Sequence, residues 1–279
     1  MAGMNDLSSA PEPQDNRAPR PRKPDWIRVK APVSKGYHET RRLMRDLSLN
    51  TVCEEAACPN IGECWSQKHA TLMIMGDTCT RACSYCNVKT GWPTSVDLAE
   101  PFRVASTVKQ MGLNYTVITS VDRDDLDDGG ASAFAATITA IRTLSPACRI
   151  ETLIPDFGGR DTSLATVLSA GPDVLNHNIE TVRSRYRHAR PGGNYDRALR
   201  LLGHARRHQP ARPTKSGLMV GLGETWDELL ETLADLRHVE CGILTIGQYL
   251  RPSAAHLPVA RYYPPDEFAA LKEAAVTLG

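Results

Sequence analysis

Six short apolar runs, each separated from the next by an amphipathic stretch, restrict this chain of 279 residues to an α/β fold with parallel strands. The runs are Thr71–Met75, Tyr115–Thr119, Ile150–Ile154, Val174–Ile179, Gly217–Val220 and Ile243–Tyr249. Helical spacing is expected over Pro101–Met111, Ala131–Leu144, Ser163–Ala170, Tyr195–His208 and Trp226–Val239, with a last helix over Pro265–Leu278. In Tyr195–His208, for instance, Ala198, Leu201, Leu202 and Ala205 fall on one helical face, with arginines between them. Strands roughly 25 to 45 residues apart leave room for the crossover helix that parallel neighbours require. Six such units are fewer than the eight of a closed barrel. The expected fold is therefore a partial, TIM-like (β/α)6 barrel with an N-terminal extension; a doubly wound sheet is the alternative.

Domain boundaries follow from changes in composition. Residues 1–24 are rich in Pro, Arg, Asn and Gln and read as a flexible tail. Residues 25–69 form the N-terminal extension, with a helix centred on Thr40–Leu47 and then a cysteine-bearing stretch of loop and short helix. Residues 70–264 form the barrel and 265–279 the final helix. A formal net charge of +1 gives no electrostatic case for nucleic acid or an anionic membrane. No apolar run approaches the roughly 18 residues of a membrane span, and the N-terminus lacks the apolar core of a signal peptide. A cytoplasmic protein is expected, and clustered cysteines there point to metal binding or catalysis rather than disulfides.

Six of the eight cysteines lie between positions 53 and 86. Cys79, Cys83 and Cys86 have the spacing C-x3-C-x2-C just beyond the first expected strand. Three thiolates on one loop can hold three irons of a [4Fe–4S] cube and leave the fourth open to a small molecule. Structural zinc favours four protein ligands in paired arrangements, which this loop does not offer. Upstream, Cys53, Cys58 and Cys64 form C-x4-C-x5-C; a second cluster, a zinc knuckle and packed free thiols are the readings open from spacing. Cys148 and Cys241 stand alone at strand edges and read as buried free thiols.

C-x3-C-x2-C with an aromatic residue before the last cysteine, here Tyr85, resembles the signature of the radical S-adenosylmethionine (SAM) superfamily. Within it, the words Cys53-Glu-Glu-Ala-Ala-Cys58-Pro-Asn-Ile-Gly-Glu-Cys64-Trp65 and Met73-Ile-Met-Gly-Asp77-Thr-Cys79-Thr-Arg-Ala-Cys83 resemble the lipoyl synthase family. So do Val121-Asp-Arg-Asp-Asp-Leu-Asp-Asp-Gly-Gly130, Asn176-His-Asn-Ile-Glu180-Thr, Lys215-Ser-Gly-Leu-Met-Val-Gly-Leu-Gly-Glu224 and Gly247-Gln-Tyr-Leu-Arg-Pro-Ser253. The resemblance runs from about Asp25 to Gly279. It implies two [4Fe–4S] clusters, one on Cys79, Cys83 and Cys86 that exchanges with SAM, and an auxiliary one on Cys53, Cys58 and Cys64 that supplies sulfur. It implies a sulfurtransferase that inserts sulfur at C6 and C8 of an octanoyl chain amide-linked to a lysine of a lipoyl carrier domain. The partners implied are octanoylated 2-oxoacid dehydrogenase E2 subunits or glycine cleavage H protein, and an electron donor such as a ferredoxin or flavodoxin. No catalytic residue beyond the cluster ligands is implied.

For SAM binding, Gly129 and Gly130 are candidates, with a tight strand–helix turn as the equal alternative. Asn176, Asn178 and Glu180 alternate along the fourth expected strand and so share one face. By resemblance they line the SAM pocket, and a buried polar network is the alternative. Arg190 and Arg251 are secondary candidates for SAM or substrate. The family's Arg-Ser-Ser motif, whose serine ligates the auxiliary cluster, does not occur in these 279 residues. Ser253, which follows Arg251 and Pro252, is not given that role. A truncated sequence, a different ligating group or an open iron are the alternatives that follow. A biotin-synthase-like or methylthio-transferring enzyme is the nearest competing function, and a zinc-stabilised binding module the competing class.

Overall fold

The computed structural model describes residues 22–28, 31–47, 49–56, 58, 60–66, 69 and 71–279. Most of the tail expected over residues 1–24 lies outside the described residues.

The extension begins with α1 (Lys35–Asp46), whose first turn is capped by the Ser34 hydroxyl accepting from the Tyr37 N–H. Short elements follow: β1 (Asn50–Thr51), α2 (Val52–Glu55) and α3 (Ile61–Ser66). Tyr37 stacks on the fully buried Trp65 at 5.3 Å between ring centroids, which fastens α1 to α3. The barrel strands are β2 (Thr71–Ile74), β5 (Tyr115–Ser120), β6 (Arg149–Leu153), β7 (Val174–Asn176), β8 (Thr214–Val220) and β9 (Ile243–Gln248). Between β2 and β5, β3 (Thr78–Cys79) and β4 (Lys89–Thr90) pair as a small parallel ribbon. The helices are α4 (Glu100–Met111), α5 (Ala131–Leu144), α6 (Asp161–Ala170), α7 (Tyr186–Ala189), α8 (Tyr195–His208), α9 (Trp226–His238) and α10 (Pro265–Leu278).

The seven-stranded sheet has the order β1-β2-β5-β6-β7-β8-β9, with every pair parallel except β1 with β2. β1 and β9 are its two ends and are not paired with each other, so the barrel is open. Six parallel strands in sequential order agree with the six βα units expected. The antiparallel β1 and the β3–β4 ribbon had no sequence signal, since two residues carry no periodicity.

The two faces of the sheet differ in chemistry. The outward side chains, including Leu72, Ile74, Ile118, Ile150, Leu218 and Val220, are buried beneath the helices. Against them α4 lays Val104, Val108 and Met111, and α5 lays Phe134, Ile138 and Ile141, at helical spacing. Each such aliphatic side chain contributes on the order of 1.5–3 kcal/mol by leaving water. The inward face is partly polar. On its lower level Glu151 accepts from Lys215 Nζ at 2.8 and 3.0 Å, from Asn176 Nδ2 at 2.8 Å, and from the Tyr115 hydroxyl. The upper level, at the C-terminal ends of the strands, opens into a cavity.

One expected strand is shorter than its apolar run suggests. β7 stops at Asn176, yet the chain beyond it still follows β8: His177 N–H donates to Lys215 O at 3.0 Å and Glu180 N–H to Gly217 O at 2.9 Å. Ser216 breaks the ladder by substituting its hydroxyl, which accepts from Ile179 N–H and donates to His177 O, both at 3.0 Å. Glu180, with φ +67°, completes the departure from strand geometry.

Candidate active site

The loop that carries Cys79, Cys83 and Cys86 leaves the end of β2 through Met75, a non-glycine residue with φ +67°. This left-handed conformation costs a side chain about 1 kcal/mol or more. It is held by the buried Glu100 at the start of α4, whose carboxylate accepts the Met75 N–H at 2.7 Å. Further along the loop, Arg81 is nearly buried among carboxylates. It donates twice to Asp124 and once to Asp156, each at 2.7 Å, and lies 3.4 Å from Asp122. The loop is thereby tied to the segments that follow β5 and β6. Although burial opposes its ionisation, Asp156 is kept well below the ordinary carboxylate range by these Arg81 bonds. Cys79 Sγ accepts from the backbone N–H groups of Asp122 at 3.3 Å and Arg81 at 3.5 Å.

All three thiols of this loop line one cavity of about 450 Å³. Burial, reinforced by Asp122, raises Cys79 to about 11. Burial raises Cys83 to about 11 as well, against the pull of the Arg190 charge, and also raises Cys86. The bare thiols thus keep their protons at neutral pH, and a metal bound here would have to displace them. Among the described residues no three His, Cys, Asp or Glu side chains converge on a point suited to one ion. A cube does not ask for that convergence, because each thiolate meets a different iron.

The opposite wall is polar and incompletely paired. His177 Nδ1 lies 2.8 Å from Ile154 O, and a carbonyl only accepts, so this nitrogen carries the proton. Nε2 is then a buried acceptor with no hydrogen-bond partner among the described residues. Burial first, and then the nearby Arg190 charge, lower His177 to about 4, so its ring is neutral. Ser120 Oγ and Arg190 Nε are likewise buried without partners, and both residues line the same cavity. Arg190 is anchored by Nη1 donating to Asn178 O at 3.0 Å and to the Tyr186 hydroxyl at 3.2 Å. An acceptor, a donor and a hydroxyl around one chamber fit a polar, zwitterionic molecule such as the methionyl part of SAM.

The upstream triad sits beside this chamber. Cys53 is buried on α2, Cys64 is half-buried on α3, and Cys58 N–H donates to Cys53 O at 3.1 Å. Burial raises Cys53 and Cys64, and Cys58 adds to the rise of both, so the three thiols lie within electrostatic range of one another. Val52, Ala56 and Asn60 of the same stretch line the cavity of Cys79, Cys83 and Cys86. Asn87 Nδ2, just after the second triad, donates to Glu55 O at 3.0 Å and couples the two loops.

Residues 73–236 match the family model of the radical SAM superfamily, well over half of the chain. The chain belongs to the radical SAM superfamily. Residues 6–58 match the model of the N-terminal domain of lipoyl synthase of that superfamily, and the two matches together support a lipoyl synthase. The radical SAM barrel is also similar to solved structures. Methylornithine synthase superposes with a TM-score of 0.56 at 14% identity, covering 86% of this chain and 72% of that one. A maturase of the [FeFe]-hydrogenase gives 0.57 at 16% identity, covering 74% and 48%. The chain thus spans about half the length of the maturase, and these likenesses establish the partial-barrel fold.

The radical SAM cavity gathers some candidates and not others. Asn178, Glu180 and Arg190 line it with the three cysteines. Asn176 does not: it lies a level deeper, bonded to Glu151, because β7 ends there. Gly129 and Gly130 do not line it either. A Cβ on Gly129 would lie 3.1 Å from the Phe157 ring, and one on Gly130 would collide with the Met75 thioether. Both have positive φ, so they serve a tight, closely packed turn into α5. Arg251 spends its guanidinium on the carbonyls of His256 and Ala254. Cys148 is buried and Cys241 half-buried, both as free thiols. Ser120, Asp122 and His177 also line the cavity, and no spacing or motif in the sequence marks them. His177 lies between the candidates Asn176 and Asn178, but nothing in one sequence shows that its neighbour across the strand end is the Ile154 carbonyl.

Proposed function

We propose that Cys79, Cys83 and Cys86 ligate the cluster that binds SAM and that Cys53, Cys58 and Cys64 ligate an auxiliary cluster. On this reading residues 25–69 are the sulfur-supplying extension and 70–264 the radical-generating barrel. The observation that carries it is the shared chamber, whose wall includes the second triad and residues flanking the first. When bound, the clusters and SAM supply a radical able to abstract hydrogen from saturated carbon and the sulfur that replaces it.

The chain's own residues divide the remaining work. Glu180, Asn178, Ser120, His177 and Arg190 orient the polar end of SAM, while Met73, Leu153 and Met219 give the chamber apolar wall for an alkyl chain. The neutral His177 ring offers only its acceptor nitrogen there and keeps its proton on the Ile154 side. Lipoyl synthases act on octanoylated carriers. The particular carriers proposed are 2-oxoacid dehydrogenase E2 subunits and the glycine cleavage H protein, with a ferredoxin or flavodoxin as donor, in the cytoplasm. No helix among the described residues is long and apolar enough to cross a membrane.

The test is a pair of variants of the anaerobically reconstituted enzyme. Cys86→Ala abolishes SAM cleavage. Cys58→Ala retains cleavage and abolishes lipoyl formation on an octanoylated carrier peptide, read by mass spectrometry. Lipoyl product from Cys58→Ala would contradict the auxiliary role.

A further inference from the structure

Residues 249–257, beyond β9, form a strap across the cysteine loop. Leu257 N–H donates to Ser84 O at 3.0 Å, and His256 Nε2 lies 3.0 Å from the carbonyl oxygen of Cys86. Because that oxygen only accepts, Nε2 carries a proton there; Nδ1 lies 2.9 Å from the Ser253 hydroxyl on the other side of the ring. Ser253 and His256 are held in a turn of their own. His256 N–H donates to Ser253 O at 3.2 Å, Ala255 N–H to Ser253 Oγ at 3.2 Å, and Arg251 Nε to His256 O at 2.7 Å. The Tyr249 hydroxyl donates to Leu257 O at 2.9 Å. From the other side, Ser84 N–H donates to Ala189 O and Ser84 Oγ to His188 O, each at 2.9 Å. The strap also faces the reacting chamber, since Tyr249, Leu250 and Pro252 line it.

We propose that Ser253 and His256 are positioning residues for Cys86, setting the orientation of its peptide and hence the direction of its thiolate. This rests on the reading of Cys79, Cys83 and Cys86 as cluster ligands. Ser253 holds the ring in place and His256 delivers the donor, the arrangement by which groups behind a metal ligand tune that ligand. A donor dipole pointed at the cluster's immediate backbone also favours the reduced, more negative cluster. Because the strap reaches both Cys86 and the chamber wall, it ties ligand geometry to the occupant of the chamber.

The test uses the full-length enzyme with both clusters loaded. His256→Ala retains its iron, shifts the reduction potential of the SAM-binding cluster to more negative values, and alters its electron paramagnetic resonance spectrum with SAM bound. SAM cleavage falls about tenfold. His256→Gln, whose amide nitrogen can donate at the same place, recovers most of the potential and the rate. Ser253→Ala lies between them, and the auxiliary-cluster signal is the same in all. Wild-type potential and spectrum in His256→Ala would overturn the proposal, as would a His256→Gln enzyme no better than the alanine variant. Cys86→Ala, run alongside, loses the SAM-binding cluster; its retention there would instead overturn the ligand reading on which the proposal stands.

Discussion

Gly217 shows how one missing side chain shapes the chamber. A Cβ there would lie 2.6 Å from Asn178 Oδ1 and 2.9 Å from its Cγ, so the Asn178 amide occupies the space an alanine would need. Gly217→Ala therefore displaces Asn178 from the chamber wall. We expect SAM binding, read by equilibrium dialysis, to weaken about tenfold, the equivalent of about 1.4 kcal/mol; wild-type affinity would mean that Asn178 does not meet SAM. His177 makes a separate prediction. Its ring is held neutral down to about 4 in the fold, whereas it takes up a proton near 6.5 in the unfolded chain. The unfolded state therefore binds more protons as pH falls through this window, and stability declines with it. Between pH 7 and 5 the protein loses about 2 kcal/mol by this route. Urea unfolding of His177→Gln should lack that part of the decline. At this scale Asn178 and Glu180 were legible because they recur two residues apart in one word. Asn176 obeys the same rule, but it is the last residue of β7 and lies below the chamber, bonded to Glu151. Gly129 and Gly130 were legible only as glycines, and the choice between cofactor contact and close packing depended on Phe157 and Met75, which lie far away or earlier in the chain.

Among the elements, the long helices outside the barrel strands follow the apolar spacing closely, α5, α8 and α10 having the expected bounds, whereas α1 starts and centres earlier than Thr40–Leu47 and the four-residue α7 is too short to carry a periodic signal. α9 explains why such ends are sharp. Thr225 accepts from Glu228 N–H at 3.3 Å while the Glu228 carboxylate accepts from Thr225 N–H at 2.7 Å, a reciprocal cap written into the sequence. What the sequence did not disclose is how elements are joined across distance. Glu100 opens α4, one residue before the expected helix, and its partner, the Met75 N–H, lies 25 residues earlier. Glu100→Ala leaves that buried donor unpaired beside a left-handed residue. The expected cost is about 1–3 kcal/mol of unfolding free energy, with weaker iron retention because Cys79 follows only four residues later. A variant with wild-type stability and iron content would show that the start of the cysteine loop is fixed elsewhere. The strap over Cys86 belongs to the same class: Ser253 and His256 are 170 residues or nearly so from the cysteine loop, and only the fold brings them to it.

For the whole molecule, the parallel sheet and its order followed from six strand–helix alternations and the topological rules for joining them. The chemistry followed from cysteine spacing and the words around it. The meeting of the two cysteine loops at one chamber did not follow from either, since the extension is attached through an antiparallel strand of two residues and the Asn87–Glu55 bond. On the reading proposed above, that meeting would make radical generation and sulfur supply parts of one device. The most direct measurement is iron content together with turnover, on anaerobically purified and reconstituted enzyme given SAM, a reductant and an octanoylated carrier peptide. Two cubes require about eight irons per chain, and the peptide should gain two sulfurs with consumption of SAM, while Cys58→Ala keeps about half the iron and cleaves SAM without adding sulfur. Colourless protein holding zinc, or sulfur insertion that survives the loss of Cys58, would contradict the two-cluster account.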